Sequence, residues 1–132
     1  MSQSAEPTAP TDGSPSAEGS AEGVAAAAGF GAAAGFGAAA AAGRLLKLSE
    51  QQMVWALGLA AAQPVGLREM FGSMTKSFHP GRAAQNGLMA AFLAAKNFTS
   101  SEQAIEAREG WANVLSPARD FDEITKGLGK TY

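Results

Sequence analysis

Twenty consecutive residues, Val24 to Gly43, carry no charge and almost no side chain larger than a methyl group. Five of them are glycine and two, Phe30 and Phe36, are aromatic. Side chains this small cannot fill the space between elements held at ordinary distances, so the segment can only pack where backbones approach closely. The length suits a membrane span, but alanine and glycine make a weak one. A buried, closely packed helix is the better reading. The run contains a short duplication, Ala28-Gly29-Phe30-Gly31-Ala32-Ala33-Ala34 followed by Ala34-Gly35-Phe36-Gly37-Ala38-Ala39-Ala40. A spacing of six is too short for a solenoid unit and is low-complexity duplication. Each glycine costs about 1 kcal/mol in a helix, so the helix is expected only from Ala38 to Leu46. No Gly-Lys-Ser/Thr follows, which excludes a phosphate loop.

The segment before this run is of a different kind. Met1 to Gly23 holds three prolines, three glycines and many Ser, Ala and Glu, with Met1 its single large apolar residue. Such a composition cannot offset the entropy of ordering, so residues 1–23 are expected to form a disordered leader and 24–132 the folded unit. The net charge is −2, with ten basic and twelve acidic residues. That balance offers no basic footprint for nucleic acid and no polybasic patch for a membrane. With no cysteine, thiol chemistry and Cys-ligated zinc are excluded. A lone histidine, His79, argues against a histidine-based metal centre. The first residues lack the basic start and apolar run of a signal peptide and are too acidic for a transit peptide, so the expected location is cytoplasmic.

The remainder reads as all-α. Ser49 with Gln52 forms a capping-box pattern, and Met53, Leu57, Ala60 and Ala61 recur at helical spacing. Pro64 and Gly66 end that helix. A polar connection runs from Leu67 to His79 with one short turn at Arg68 to Phe71. Pro80 is expected to open the next helix, whose apolar stripe is Ala83, Ala84, Leu88, Ala91, Phe92 and Ala95. Asn97 stops it. Ser100 and Gln103 suggest another capping box, opening a helix through Ala104, Ile105 and Ala107. Gly110 interrupts, Trp111, Val114 and Leu115 make a further apolar turn, and Pro117 closes it. The tail from Asp120 to Tyr132 holds a short strand or turn near Ile124. Trp55 and Trp111 are expected as half-buried anchors, and Met53, Met70, Met74, Met89 and Phe92 as packing residues.

Chemistry concentrates between Arg68 and Arg82. Arg68, Lys76, His79 and Arg82 stand there against one acid, Glu69. With a helix opening at Pro80, Lys76 and His79 sit just ahead of unpaired N–H groups that attract anions. Gly81 lets a ligand approach the backbone. Together these suit a carboxylate or phosphate. Lys76 can act as an ion partner, or as a base where burial and neighbouring cations lower its pKa. His79 can transfer a proton near neutral pH. Ser73 and Thr75 can donate hydrogen bonds, although loop hydroxyls more often bond their own backbone. The bland alternative is a solvated basic loop.

The run from Gly72-Ser73-Met74-Thr75-Lys76-Ser77-Phe78-His79-Pro80-Gly81-Arg82-Ala83 to Gly87 resembles the Thr-Lys-x-x-His-x-Gly-x-Ala segment of the MmgE/PrpD family. Four flanking pieces match in order: the Ala-rich stretch Phe36 to Leu46, Met53 to Ala60, Asn97-Phe98-Thr99-Ser100-Ser101, and Ile124 to Gly129. The resemblance covers Phe36 to Tyr132. It implies a large helical domain with a smaller α/β lid, usually as a homodimer, and cofactor-free dehydration of 2-methylcitrate or decarboxylation of cis-aconitate, with no metal. Both reactions build charge beside a carboxylate, so cations and proton donors belong there. Lys76 matches the family's active-site lysine and His79 the motif histidine. Arg82 stands at a variable position, and with Thr75 and Gly81 it is assigned to substrate binding.

Family enzymes are several times longer. The resemblance therefore implies an internal fragment without the lid and without the earlier Asp- and His-bearing site segments. One segment alone does not close a water-free site. Three functions follow from this: a lyase-type piece inactive alone, a non-enzymatic helical remnant or partner-binding module with exposed apolar faces prone to self-association, or a plain anion-binding module.

Overall fold

The computed structural model describes residues 32–116 and 118–130. The expected leader 1–23, the first repeat up to Gly31, and Pro117, Thr131 and Tyr132 lie outside the described residues. Five helices follow in order: α1 (residues 32–45), α2 (Glu50–Ala61), α3 (Thr75–Ala95), α4 (Trp111–Leu115) and α5 (Asp122–Thr125). A short 3-10 turn, Arg68–Met70, lies between α2 and α3. No strand occurs among the described residues, so the all-α expectation holds.

α1 begins well before Ala38, through Gly35 and Gly37. Tertiary packing overrides the glycine penalty at Gly35, which is buried with its carbonyl oxygen against Gly87, whereas Gly37 is exposed and a Cβ there would meet nothing within 4 Å. The helix ends in a Schellman motif. Lys47, at φ +57, donates to the Arg44 carbonyl at 3.2 Å, and Leu48 donates to the Gly43 carbonyl at 3.0 Å. α2 starts on the expected capping box: the Gln52 N–H donates to Ser49 Oγ at 3.3 Å, and the Ser49 N–H donates to Gln52 Oε1 at 3.0 Å. α3 ends as α1 does. Asn97, at φ +61, donates to Ala94 and Phe98 donates to Leu93, at 2.9 and 3.1 Å.

The core is built from methyl groups. Ala39 of α1, Ala60 of α2 and Ala90 of α3 meet at its centre, with Phe36, Leu57 and Leu59 packed around them. No large side chain is fully buried among the described residues. A Cβ placed on Gly87 would run into the Gly35 carbonyl oxygen and lie 2.9 Å from both the Ala38 Cβ and the Ala39 nitrogen. α1 and α3 therefore touch backbone to backbone. The Phe36 and Trp111 rings meet edge to face at 5.5 Å, tying α4 to α1. Trp55 and Trp111 are both half-buried, as expected.

Several expectations need correction. α3 starts at Thr75, and Pro80 lies inside it. Proline there removes one N–H that the Lys76 carbonyl would otherwise accept, a single lost bond in the exposed opening part of the helix. The buried face of α3 is Ala83, Asn86, Gly87, Ala90, Ala91 and Ala94, whereas Leu88 and Phe92 are about half exposed. Close helix approach selects the smallest residues, so the larger apolar ones are displaced outward. Met89 is exposed for the same reason, and Met74, at the N-cap ahead of the helix, is exposed as well.

Residues 101–110 form turns, not the helix expected from Ser100. Ser100 Oγ is held against Gly58, leaving no room for a Cβ there. The cap-like bond runs instead from the Gln103 N–H to Ser101 Oγ, at 3.3 Å. The Trp111 and Ala112 N–H groups draw the chain back onto the Ala104 and Ile105 carbonyls. Near Ile124 the chain makes the single turn α5 and no strand.

The Gly87 contact gives the first prediction. Gly87→Ala forces α1 from α3 and destabilises by about 1–3 kcal/mol, as overpacking does. Gly81→Ala, with nothing within 4 Å of the new Cβ, stabilises by about 0.5–1 kcal/mol through helix propensity. Thermal unfolding of both variants should move Tm in opposite directions; a shared direction would overturn the assignment.

Candidate functional site

The basic segment straddles the start of α3. Ser73 Oγ donates to the Met70 carbonyl at 2.7 Å and closes the turn that precedes the helix. Met74 occupies the N-cap position with helical dihedrals and no side-chain cap. The Lys76 and Ser77 N–H groups donate back to Ser73 and Met74, each at 3.2 Å, so the first turn is tightened and those donors are used. Lys76 and His79 therefore lie within the first turn and a half of the helix rather than ahead of it.

A helix places residues at intervals of about 100° around its axis, so Thr75, His79 and Arg82 fall within an arc of roughly 60°. These three side chains line one shallow hollow of about 260 Å³ with Val65, Gly66, Leu67, Met70 and Phe78. Arg82 Nη1 donates to Gln85 Oε1 at 2.9 Å. Lys76 points elsewhere: its Nζ lies 5.7 Å from the centroid of the Phe71 ring. Gly81 is on the exposed side, facing open space. The structure thus brings Thr75, His79 and Arg82 together and leaves Lys76 and Gly81 outside their hollow.

Charge separates this hollow from its larger neighbour. Among the described residues the one ion pair runs between Lys126 and Glu123 at 3.1 Å, so no carboxylate neutralises Lys76, His79 or Arg82. A second cavity, of about 550 Å³, lies between the C-terminal half of α2, the turns after Ser100, and α4. Its walls are mainly Ala61, Ala104, Trp111, Val114 and Leu115, and its one charged residue is Glu109. That sign is wrong for a polycarboxylate. Among the described residues no three His, Asp or Glu side chains gather as metal ligands.

Sequence reasoning missed Asn86. It is the buried polar residue of α3, and its Nδ2 makes a long, 3.4 Å bond to the Gln63 carbonyl. Gln63 leads into Pro64, Val65 and Gly66, so this bond connects the wall of the hollow to the packed half of α3. A polar residue inside an alanine stripe at helical spacing was the available signal. Asn86→Ala should cost about 1 kcal/mol, read as a lower urea midpoint at unchanged slope. An unchanged midpoint would show the bond to be idle.

Comparisons with known proteins agree with the motif. The sequence model of the MmgE/PrpD N-terminal domain matches residues 16–124. Two cis-aconitate decarboxylases of Aspergillus terreus, one from a defined strain, are each 34% identical over 100 residues. The alignments take in 70% of this chain and 20% of each relative. The chain spans about a fifth of the length of the curated relatives it matches. No solved structure matches it. With the family domain matched across most of its length and the lysine–histidine motif at the start of α3, the chain belongs to the MmgE/PrpD family.

Proposed function

We propose that this chain carries the lysine–histidine segment of a cofactor-free lyase pocket for citrate-like tricarboxylates, and that by itself it binds carboxylate without turning it over. The observation that carries this reading is the hollow shared by Thr75, His79 and Arg82, with no carboxylate among the described residues paired to Arg82. In this reading Arg82 pairs with a substrate carboxylate and the Thr75 hydroxyl donates to it. His79 is the proton-transfer group. Lys76 binds a second carboxylate or transfers a proton. To do so it must leave the Phe71 ring, which costs about 0.5–1 kcal/mol at an exposed site. An exposed lysine–carboxylate pair returns about 0–1 kcal/mol, a similar amount, so the side chain can exchange between the two contacts. Gly81 takes part only through the open space around its backbone.

The reaction would be decarboxylation of cis-aconitate, the activity named for the relatives, or dehydration of 2-methylcitrate. A cytoplasmic location is part of the reading; the chain has no disulfide that would require an oxidising compartment. The second reading is a helical module with a carboxylate site and no chemistry. The hollow favours it for the isolated chain: about 260 Å³ lies below the roughly 300 Å³ at which enclosed ligand pockets begin, and it does not exclude water.

The test is direct. The full chain should bind citrate, more weakly as salt rises, and Arg82→Ala or Lys76→Ala should weaken binding severalfold. It should not turn over cis-aconitate or 2-methylcitrate. Turnover that vanishes in Lys76→Ala would overturn the inactive half of the reading, and wild-type indifference to citrate the other half.

Self-association, as a homodimer or larger, belongs to the same reading. Its support is the apolar outer face of α3, where Leu88, Met89 and Phe92 are 45%, 52% and 50% exposed. Analytical ultracentrifugation should find species larger than the 13.4 kDa chain; a clean monomer would count against it.

A further inference from the structure

Two glycines flank the candidate hollow with backbones that L-residues avoid: Gly66 at φ +113 and Gly72 at φ +88. They differ in what a side chain would meet. At Gly72 a Cβ finds nothing within 4 Å. At Gly66 it would fall 3.0 Å from Nδ1 of His79, 3.3 Å from Cγ and 3.5 Å from Cε1. Gly66 is thus a place where bare backbone lies against one edge of an imidazole. The burial pattern agrees: from Phe71 to Arg82 every residue is exposed except His79, which is half-buried.

The Gly66 segment is itself held. The Asn86–Gln63 bond links it to the packed half of α3, and Pro64 stiffens the path between. The imidazole therefore rests on a support anchored in the core.

We propose that Gly66 is a positioning residue for His79: its bare Cα forms the wall that aims the imidazole into the hollow shared with Thr75 and Arg82. This deepens the carboxylate-site reading given above and rests on it for its purpose, though not for its geometry. A Cβ at position 66 is tighter against the ring than ordinary contact allows, so the ring or the segment must give by a few tenths of an ångström. A misplacement of about 1 Å in a reacting or binding group costs about a hundredfold in function, so a shift of this smaller size is expected to cost severalfold.

His79 is the single histidine of the chain, so its ring protons give one isolated set of NMR signals in the full-length protein. The wild type should show cross-relaxation between those protons and the Gly66 α-protons, and a ring more rigid than the exposed ring of Phe78. Gly66→Ala should change the contact, move the ring signals and raise the apparent Kd for citrate severalfold. Gly72→Ala, with comparable backbone strain and no contact, should leave the ring and the citrate response as in wild type. Wild-type ring signals and citrate affinity retained in Gly66→Ala would overturn the proposal. Should that variant fail to fold, the wild-type ring decides: a ring as mobile as Phe78, with no contact to Gly66, overturns it equally. A wild type that ignores citrate overturns the carboxylate reading instead, and the ring contact and its rigidity still decide the role of Gly66.

Discussion

α3 meets α1 at a point where α3 has no side chain to interpose, with Gly87 set against the Gly35 carbonyl, the Ala38 methyl and the Ala39 nitrogen. At that separation only methyl groups fit between the helices, which is why Ala39, Ala60 and Ala90 form the centre of the core. The favourable energy comes from many short-range contacts between backbone and methyl atoms, each small and all lost together if the helices separate. The contact also sets the rotation of α3 about its axis. Burying Ala83, Gly87, Ala90 and Ala94 sets the face on which Thr75, His79 and Arg82 lie, N-terminal to them on the same helix.

α3 is divided by this arrangement. From Ala83 onward one face is sealed in the core; from Thr75 to Arg82 the helix is exposed apart from His79. The groups with chemical capacity all lie on the exposed part. It also lacks a side-chain N-cap and carries an internal proline. By local criteria this is the less stable half, since few apolar contacts hold it. Its support comes from the side, where the chain leaving α2 lies over it and Asn86 and the Gly66 backbone make contact. The weak half of α3 is thus braced from the side rather than by burial of its own face.

The same packing explains the outer surface. When methyl groups win the interior, the large apolar side chains of α3 have nowhere else to go, and Leu88, Met89 and Phe92 line the outer side of the helix.

What the sequence determined by itself was local. The Ser49–Gln52 capping box, the end of α2 before Pro64, the turn at Arg68, the stop at Asn97 and the apolar turn at Trp111 are interactions among residues three or four apart, readable without neighbours. The motif around Lys76 and His79 was equally legible, because it is a string of residues and not a shape. The tertiary structure alone decided which residues of α3 are buried: hydrophobicity favoured Leu88 and Phe92, and the close approach of α1 favoured Asn86, Gly87 and Ala90. It turned Ser100 to Ala107 from an expected helix into turns, by seating Ser100 on Gly58 and recalling the chain to Ala104 and Ile105. It began α3 five residues before Pro80, so that His79 and Arg82 share a face with Thr75 and Lys76 does not. The physical reason is common to all three. Spacing along a chain fixes which side chains lie on one face of a helix, but the distance between two backbones decides which face is inside.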